Sequence, residues 1–267
     1  MNATIKRQLI TVASAIALFA ALLLLWLGVI RLFNIPPYML PTPAAVAAAA
    51  HERFPSLLAS LWITAQEAAS GLAASIVLGL AVALIFAQSR WVRRLLFPYT
   101  LLLQTVPIVA IAPLILMWIG AGQLAVTTVA FIICLAPIIA NTTQGLISVD
   151  RTLLDLFTMN RASRLEVLFK LRLPHAMPAL FTGIRISSGI AVIGAIIGEL
   201  FGGSSRVGEG GLGYAIQYAS TQMETGYLFA LVGAATVLGF AFFFATLFLE
   251  WYFLHNWHES ARPTEDE

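Results

Sequence analysis

Charge is what this sequence has least of. Only 10% of its 267 residues are Asp, Glu, Lys or Arg, and 60% are hydrophobic, with a mean hydropathy of +0.88. A soluble domain carries about 25% charged residues. No soluble fold of this length could hide so much apolar surface, so the bilayer must act as solvent. Cysteine is nearly absent: Cys134 stands alone in an apolar run, which excludes an internal disulfide or a cysteine metal cluster and reads as a small core residue. The histidines, His51, His175, His255 and His258, show no metal-type clustering, and no metal site is expected. Nothing matches G-x-x-x-x-G-K-[ST], so the chain lacks a nucleotide-binding loop of its own. Gly208-Glu-Gly210-Gly-Leu-Gly213 satisfies G-x-G-x-x-G in letters only. It follows an apolar span rather than a strand, and reads as a loop feeding a short helix from Leu212 to Met223. No catalytic set emerges, no cofactor is expected on this chain, and nothing points to nucleic acid.

What is present is a succession of long apolar runs. Six spans are expected, at about 9–30, 60–88, 95–119, 123–146, 178–200 and 227–250, each near or above the length a helix needs to cross hydrocarbon. The first follows Lys6 and Arg7, and its uncharged run from Leu9 to Ile30 is longer than the apolar core of a signal peptide. With the N-terminus cytoplasmic, the inner segments hold Lys6, Arg7, Arg90, Arg93, Arg94, Arg151, Arg161, Arg164, Lys170, Arg172 and Arg262, while the outer ones hold Arg31, Arg53 and Arg206. That asymmetry follows the positive-inside rule and predicts both termini in the cytoplasm. Trp62, Trp91, Trp118 and Trp251 fall at span ends, as an aromatic belt requires. The expected organisation is all-α: residues 1–59 as a first span and a proline-rich external connector, 60–250 as a polytopic helical bundle, and 251–267 as a cytoplasmic tail, polar and disordered from Glu259. Within the connector, Ala44 to Phe54 suits a short interfacial helix. Pro107, Pro113 and Pro137 lie inside spans, where the carbonyls they free need a partner from protein or water.

The most informative stretch is a charged island, Asp150 to Pro174, placed between spans. Asp150 suits the N-cap of one short helix, with Leu153, Leu156 and Phe157 on one face. Asn160-Arg161 reads as a turn. Ser163 and Glu166 form a capping box for a second helix, whose Leu165, Leu168 and Phe169 share a face and which Pro174 is expected to end. An amphipathic helical pair in a membrane protein's loop offers a knob for a partner to grip.

The spacing of this island resembles the cytoplasmic coupling loop of ABC-importer permeases, EAA-x3-G-x9-I-x-LP. Asp155-Leu156-Phe157 lies where the motif has EAA, Arg161 where it has Gly, and Leu171-x-Leu173-Pro174 where it has I-x-LP. Glycine permits a left-handed turn that costs Arg energy; Asn160, one residue earlier, tolerates it better and would shift the turn. The resemblance runs from about Leu40 to Glu250. Leu40-Pro41-Thr-Pro43, Gln104-Thr-Val-Pro107 with Ala112-Pro113-Leu114, Gly198-Glu199-Leu-Phe201 and Gly211-Leu-Gly213-Tyr214 are similar, in order and spacing, to segments of the nitrate/sulfonate/taurine branch. Leu156-Phe157-x-Met159 and Thr225-x-x-Leu228-Phe229-Ala230 look more like permeases for vitamin-related heterocycles, such as a thiamine pyrimidine precursor or riboflavin, than like sulfonate, taurine or nitrate members. The resemblance implies a non-catalytic permease homodimer in a bacterial inner membrane, driven by two cytoplasmic ATPase subunits that use ATP and supplied by an external solute-binding protein. Residues expected to couple to the ATPase are Asp155, Leu156, Phe157, Arg161, Ser163, Glu166, Leu168, Phe169, Leu173 and Pro174.

Ionisable residues inside spans are costly and usually face a bundle interior or a water-filled path. Glu67 and Glu199 fall in the outer half and Arg185 in the inner half of the expected spans, too far from Glu199 along the same helix for an ion pair. Glu250 stands at a span end, where it needs no explanation. Gln104, Thr105, Ser187 and Ser188 lie nearer the midplane and suit either a polar pathway, together with Glu67 and Glu199, or hydrogen bonds between helices. The competing class, a self-contained secondary transporter or channel, would need coupling-ion sites for which Glu67 and Glu199 are the only candidates. It leaves the capped helical loop without a purpose.

Overall fold

The computed structural model describes residues 3–202 and 210–255, with side chains from 13 onward except 15 and 16. The expected tail from Glu259 and most of the loop before Gly210, with Arg206 and Gly208, lie outside the described residues. Those residues form helices and connecting turns, with no strand among them. In chain order the helices are α1 (Ala3–Leu32), α2 (Pro43–Glu52), α3 (Phe54–Gln88), α4 (Arg90–Thr105), α5 (Ile108–Ile119), α6 (Gln123–Ile147), α7 (Arg151–Met159), α8 (Arg164–Glu166), α9 (Leu173–Gly202), α10 (Leu212–Thr221) and α11 (Thr225–Leu254). Among the described residues, α3, α6, the joined helix Arg164–Gly202 and α11 are each long and apolar enough to cross a membrane. The pair α4–α5 makes a fifth crossing if counted as one span. In α1 the described apolar stretch, Ala17–Leu32, is shorter.

The span expected at 95–119 is not one helix. It starts at Arg90 and breaks at Val106-Pro107, where α4 and α5 meet at 100°. Val106 takes an extended conformation (φ −73°, ψ 123°), as the residue before a proline prefers. The pair still runs from one end of the bundle to the other. α4 starts beside the α3 end whose Ala87 carbonyl meets Arg172, whereas Leu116 of α5 packs on Gly202 at the far end of α9.

The bundle closes on small residues. α6 packs along both α3 and α9, and Ala130 is the waist of that sandwich. A Cβ on Gly71 would lie 2.7 Å from Ala130 Cβ, and one on Gly194 2.9 Å from Ala130 Cα. Lipid offers no hydrophobic drive between helices, so close backbone approach through small residues supplies the packing. Buried Val126, Cys134, Ile138, Val192, Ala195 and Leu231 fill the space around that contact.

At the end where α2, α10 and the start of α11 meet, Arg53 grips Glu224 through both guanidinium nitrogens (2.5 and 2.6 Å) and lies 5.0 Å from the Tyr227 ring centre. The Glu224 hydrogen bond raises the Arg53 pKa. Thr225 donates to the Tyr38 carbonyl at 2.7 Å, which ties the connector to α11. The short helices expected near Ala44 and Leu212 are α2 and α10.

Pro174 does not end the helix that Ser163 begins. Helix α8 passes into a π-helical stretch, Val167–Arg172, and then directly into α9. The Leu173 N–H bonds to the Leu168 carbonyl, five residues back. A proline removes one donor and crowds the carbonyl four residues before it. The wider π turn absorbs that misfit. The span expected at 178–200 is therefore the distal part of one helix that starts at Arg164.

Candidate functional site

The loop between α6 and α9 is built by local rules. Asp150 caps α7 by accepting the Thr152 N–H at 2.7 Å, and that bond holds its carboxylate below the ordinary range. The helix closes with a Schellman arrangement: Ala162 N–H bonds the Phe157 carbonyl and Arg161 N–H the Thr158 carbonyl, both at 3.0 Å. Arg161, not Asn160, takes the left-handed conformation. Its φ is 55°, while Asn160 stays at −82° and donates its side chain to the Leu156 carbonyl (2.8 Å). The turn keeps the glycine position of the motif, because the two Schellman bonds fix which residue must be left-handed. The capping box is complete: Glu166 N–H donates to Ser163 Oγ (3.2 Å), Ser163 N–H donates to Glu166 Oε2 (2.9 Å), and Lys170 pairs with Glu166 Oε1 at 3.0 Å.

The second helix does not present all three of its apolar residues. Leu168 is only 4% exposed and packs on Ala83, Ala87, Leu146 and Ala176 of the chain's own long helices. Leu165 and Phe169 are 62% and 55% exposed. Consecutive helical residues point about 100° apart, so an apolar arc this wide straddles two surroundings. Leu153, Leu156 and Met159 of α7 are exposed as well, Asp155 faces solvent, and Phe157, Leu173 and Pro174 are half-buried. The loop thus carries an apolar, solvent-facing cap on a seated base.

At the opposite end lies a second polar construction. Glu67 on α3 and Glu199 on α9 are 4% and 2% exposed and neighbour each other in the interior. Glu199 accepts from Thr64 Oγ1 and from the Gly213 N–H, each at 2.6 Å, and Thr64 Oγ1 accepts the Leu212 N–H at 2.7 Å. Ser60 donates to the Gly210 carbonyl at 2.9 Å. The start of α10 is therefore pinned to α3 and α9 through their buried polar side chains. Gly211 and Gly213 make that approach possible: a Cβ on the first would collide with Glu199 Oε1, and on the second with the Ile196 carbonyl. Glu67 Oε2 meets no donor.

Sequence reasoning missed Thr64 and Ser60. Their signal was a stripe on α3, Ser60, Thr64, Glu67, Gly71 and Ser75, recurring at three- and four-residue steps. It also missed the partner of Arg185. Glu250 on α11 is that partner, at 2.9 Å and partly buried, so its place at a span end did not leave it alone. Ser187 and Ser188 are fully buried. Ser187 donates to the Cys134 carbonyl on α6 at 3.0 Å, and Ser188 lies 3.3 Å from Thr246 Oγ1 on α11. Gln104 and Thr105 are exposed at the α4–α5 break, away from both serines, and Thr105 bonds only the Leu102 carbonyl of its own helix. Among the described residues no group of His, Cys, Asp and Glu could hold a metal ion.

Residues 75–258 match the family described as the binding-protein-dependent transport system inner membrane component. A "Probable ABC transporter permease protein" of Haemophilus influenzae is 34% identical, covering 78% of this chain and 83% of its own. The formylaminopyrimidine transport permease protein of Halalkalibacterium halodurans is 32% identical over 87% of this chain and 91% of its own. The riboflavin transport system permease protein of Chloroflexus aurantiacus is also 32% identical, over 81% and 80%. The helical architecture, the loop geometry and these matches together make the chain a member of that family, a multi-pass, non-catalytic inner-membrane permease of a binding-protein-dependent ABC importer.

Proposed function

We propose that the segment 150–174 is the seat of the ATPase, and that its exposed apolar cap is what the ATPase grips. Leu153, Leu156, Met159, Leu165 and Phe169 spend exposed apolar surface on a loop held rigid by two caps and a Schellman turn, and that is the observation that carries the reading. Asp155, Phe157, Arg161, Ser163 and Glu166 shape the loop; Leu168, Leu173 and Pro174 seat it on the bundle. Two copies of the chain would present two such loops to a pair of cytoplasmic ATPase subunits. ATP binding there would draw the loops together and reorient the helices, giving alternating access for a solute delivered at the opposite end by a binding protein. Both termini then lie on the loop side, with 60–250 as the transport unit between the connector 1–59 and the tail 251–267.

The cargo we infer is a small polar heterocycle of the pyrimidine or riboflavin type. Identity to the formylaminopyrimidine and riboflavin permeases exceeds that to the taurine permease of Escherichia coli, at 28%. Gln104 and Thr105, exposed at the helix break, are the polar groups best placed to meet it. The burial of Ser187 and Ser188 favours a role as bonds between helices. Glu67 and Glu199 act on the pathway indirectly, by holding α10.

The test is the paired variant Leu156→Asp with Phe169→Asp. Charge in an apolar docking groove is strongly unfavourable, so the ATPase should no longer co-purify and uptake should fall at least about tenfold, while the permease keeps its thermal midpoint in detergent. A variant that retains the ATPase and transports normally rules the seat out.

A further inference from the structure

We infer that the elbow between α3 and α4 binds one anionic phospholipid, its phosphate among arginines and an acyl chain in the adjoining groove. The argument starts from a charge imbalance. Arg90 and Arg93 occupy the first turn of α4, which contains no acidic residue, and Arg94 follows directly. A helix N-terminus already carries the positive end of the backbone dipole and favours anions, so the two cations in that turn oppose it. Arg172 comes to the same place from the π-helical stretch. Its guanidinium donates to the Ala87 carbonyl at 2.8 Å, its Nε is buried without a partner, and its charged neighbours are Arg93 and Arg90. Among the described residues the ion pairs are Arg53–Glu224, Lys170–Glu166 and Arg185–Glu250, and none involves this cluster. Arg90, Arg93 and Arg172 therefore converge, and among the described residues none of them has an acidic partner.

A second, independent feature lies beside them. Between α3 and α4 runs an open apolar groove of about 520 Å³, walled by Val82, Ile85, Phe86, Leu96, Tyr99 and Ile139. Val92 and Leu96, on either side of Arg93 in sequence, form its flank. The Phe86 and Phe97 rings meet edge to face across the elbow, with centres 6.2 Å apart. A free phosphate would use the arginines and leave the groove empty. An acidic protein segment would have no use for a lipid-facing apolar slot so close to the cations. A phosphate-bearing headgroup joined to an acyl chain satisfies both features at once. Basic residues at a membrane surface attract anionic lipid, and burying the chain in the groove would fix one lipid in place.

The experiment is native mass spectrometry of the purified full-length permease in neutral detergent, titrated with phosphatidylglycerol or with phosphatidylcholine of the same acyl chains. The wild type should hold one phosphatidylglycerol per chain with a preference of about tenfold or more. Arg90→Gln with Arg93→Gln, both on the surface side of the cluster, should abolish the preference. Ile85→Trp, which fills the lip of the groove and leaves every arginine intact, should weaken phosphatidylglycerol binding by about tenfold through lost acyl burial. Equal binding of the two lipids by the wild type overturns the proposal. So does retention of the preference in the arginine variant, or displacement of the lipid by inorganic phosphate alone. Loss of the second copy or of the ATPase from the arginine variant, in discs of phosphatidylcholine only, reassigns the cluster to a protein contact and also overturns it.

Discussion

Glu166 and Glu199 hold helix starts at opposite ends of the same bundle, and they do so in opposite surroundings. Glu166 faces water. It closes a box with Ser163 three residues away, and Lys170 one turn on neutralises it. Glu199 is sealed between α3, α9 and α10, and its partners Thr64 and Gly213 come from other helices. The first carboxylate loses little if a bond breaks, because water replaces it. The second has no such substitute, since a buried donor left without an acceptor bears its full desolvation cost. The 150–174 end thus rests on bonds that water can replace, while the opposite end is set by buried contacts between helices.

The sharpest way to break that contrast is Glu199→Ala. It orphans the buried Gly213 N–H, at a cost of about 1–3 kcal/mol, while Thr64 Oγ1 keeps the Ser60 carbonyl and the Leu212 N–H. Uptake should be lost and the thermal midpoint of the purified permease should drop by several degrees, with the α10 region becoming protease-sensitive first. Normal transport with an unchanged midpoint would show that the pinning of α10 is dispensable. Leu168→Ala comes next. Although it sits in the loop we propose as the ATPase seat, it should behave as a core mutation costing roughly 2–3 kcal/mol, with ATPase retention reduced only in proportion to the folded fraction. Clean release of the ATPase at an unchanged thermal midpoint would place Leu168 in the partner contact instead. The smallest effect is Arg161→Gly, which relieves a left-handed arginine and should stabilise the loop by about 1 kcal/mol. Hydrogen exchange at Ala162 should slow; faster exchange would mean that the arginine side chain has a role the turn geometry does not reveal.

The legibility of the sequence divides along the same line. Asp150, Ser163 and Glu166 announce their bonds because each partner is within three residues, and caps are local chemistry. Apolar runs announced the long helices for the same reason. The Glu67–Glu199 contact joins residues far apart in the chain, and each alone read as an isolated acid in a span. Arg185 and Glu250 were likewise both visible, but nothing in either run says that α9 and α11 bring them together. The α4–α5 break was signalled by Val106-Pro107, yet hydropathy averages across a proline and reported one span. Leu168 failed for a geometric reason: helical spacing gives the width of an apolar arc, not which part of it meets the protein's own helices.

The π-helical stretch has a consequence of phase. From Arg164 to Glu199 the backbone is one uninterrupted helix, about 50 Å of rod at 1.5 Å per residue. Each added residue turns everything beyond it by about 100°, and the wide turn at Val167–Arg172 holds one residue more than an α-helical turn would. That extra residue sets the angular offset between Phe169 at one end and Glu199 at the other. The spare residue ahead of Pro174 thus fixes which side of the helix faces α10 for a given orientation of the loop.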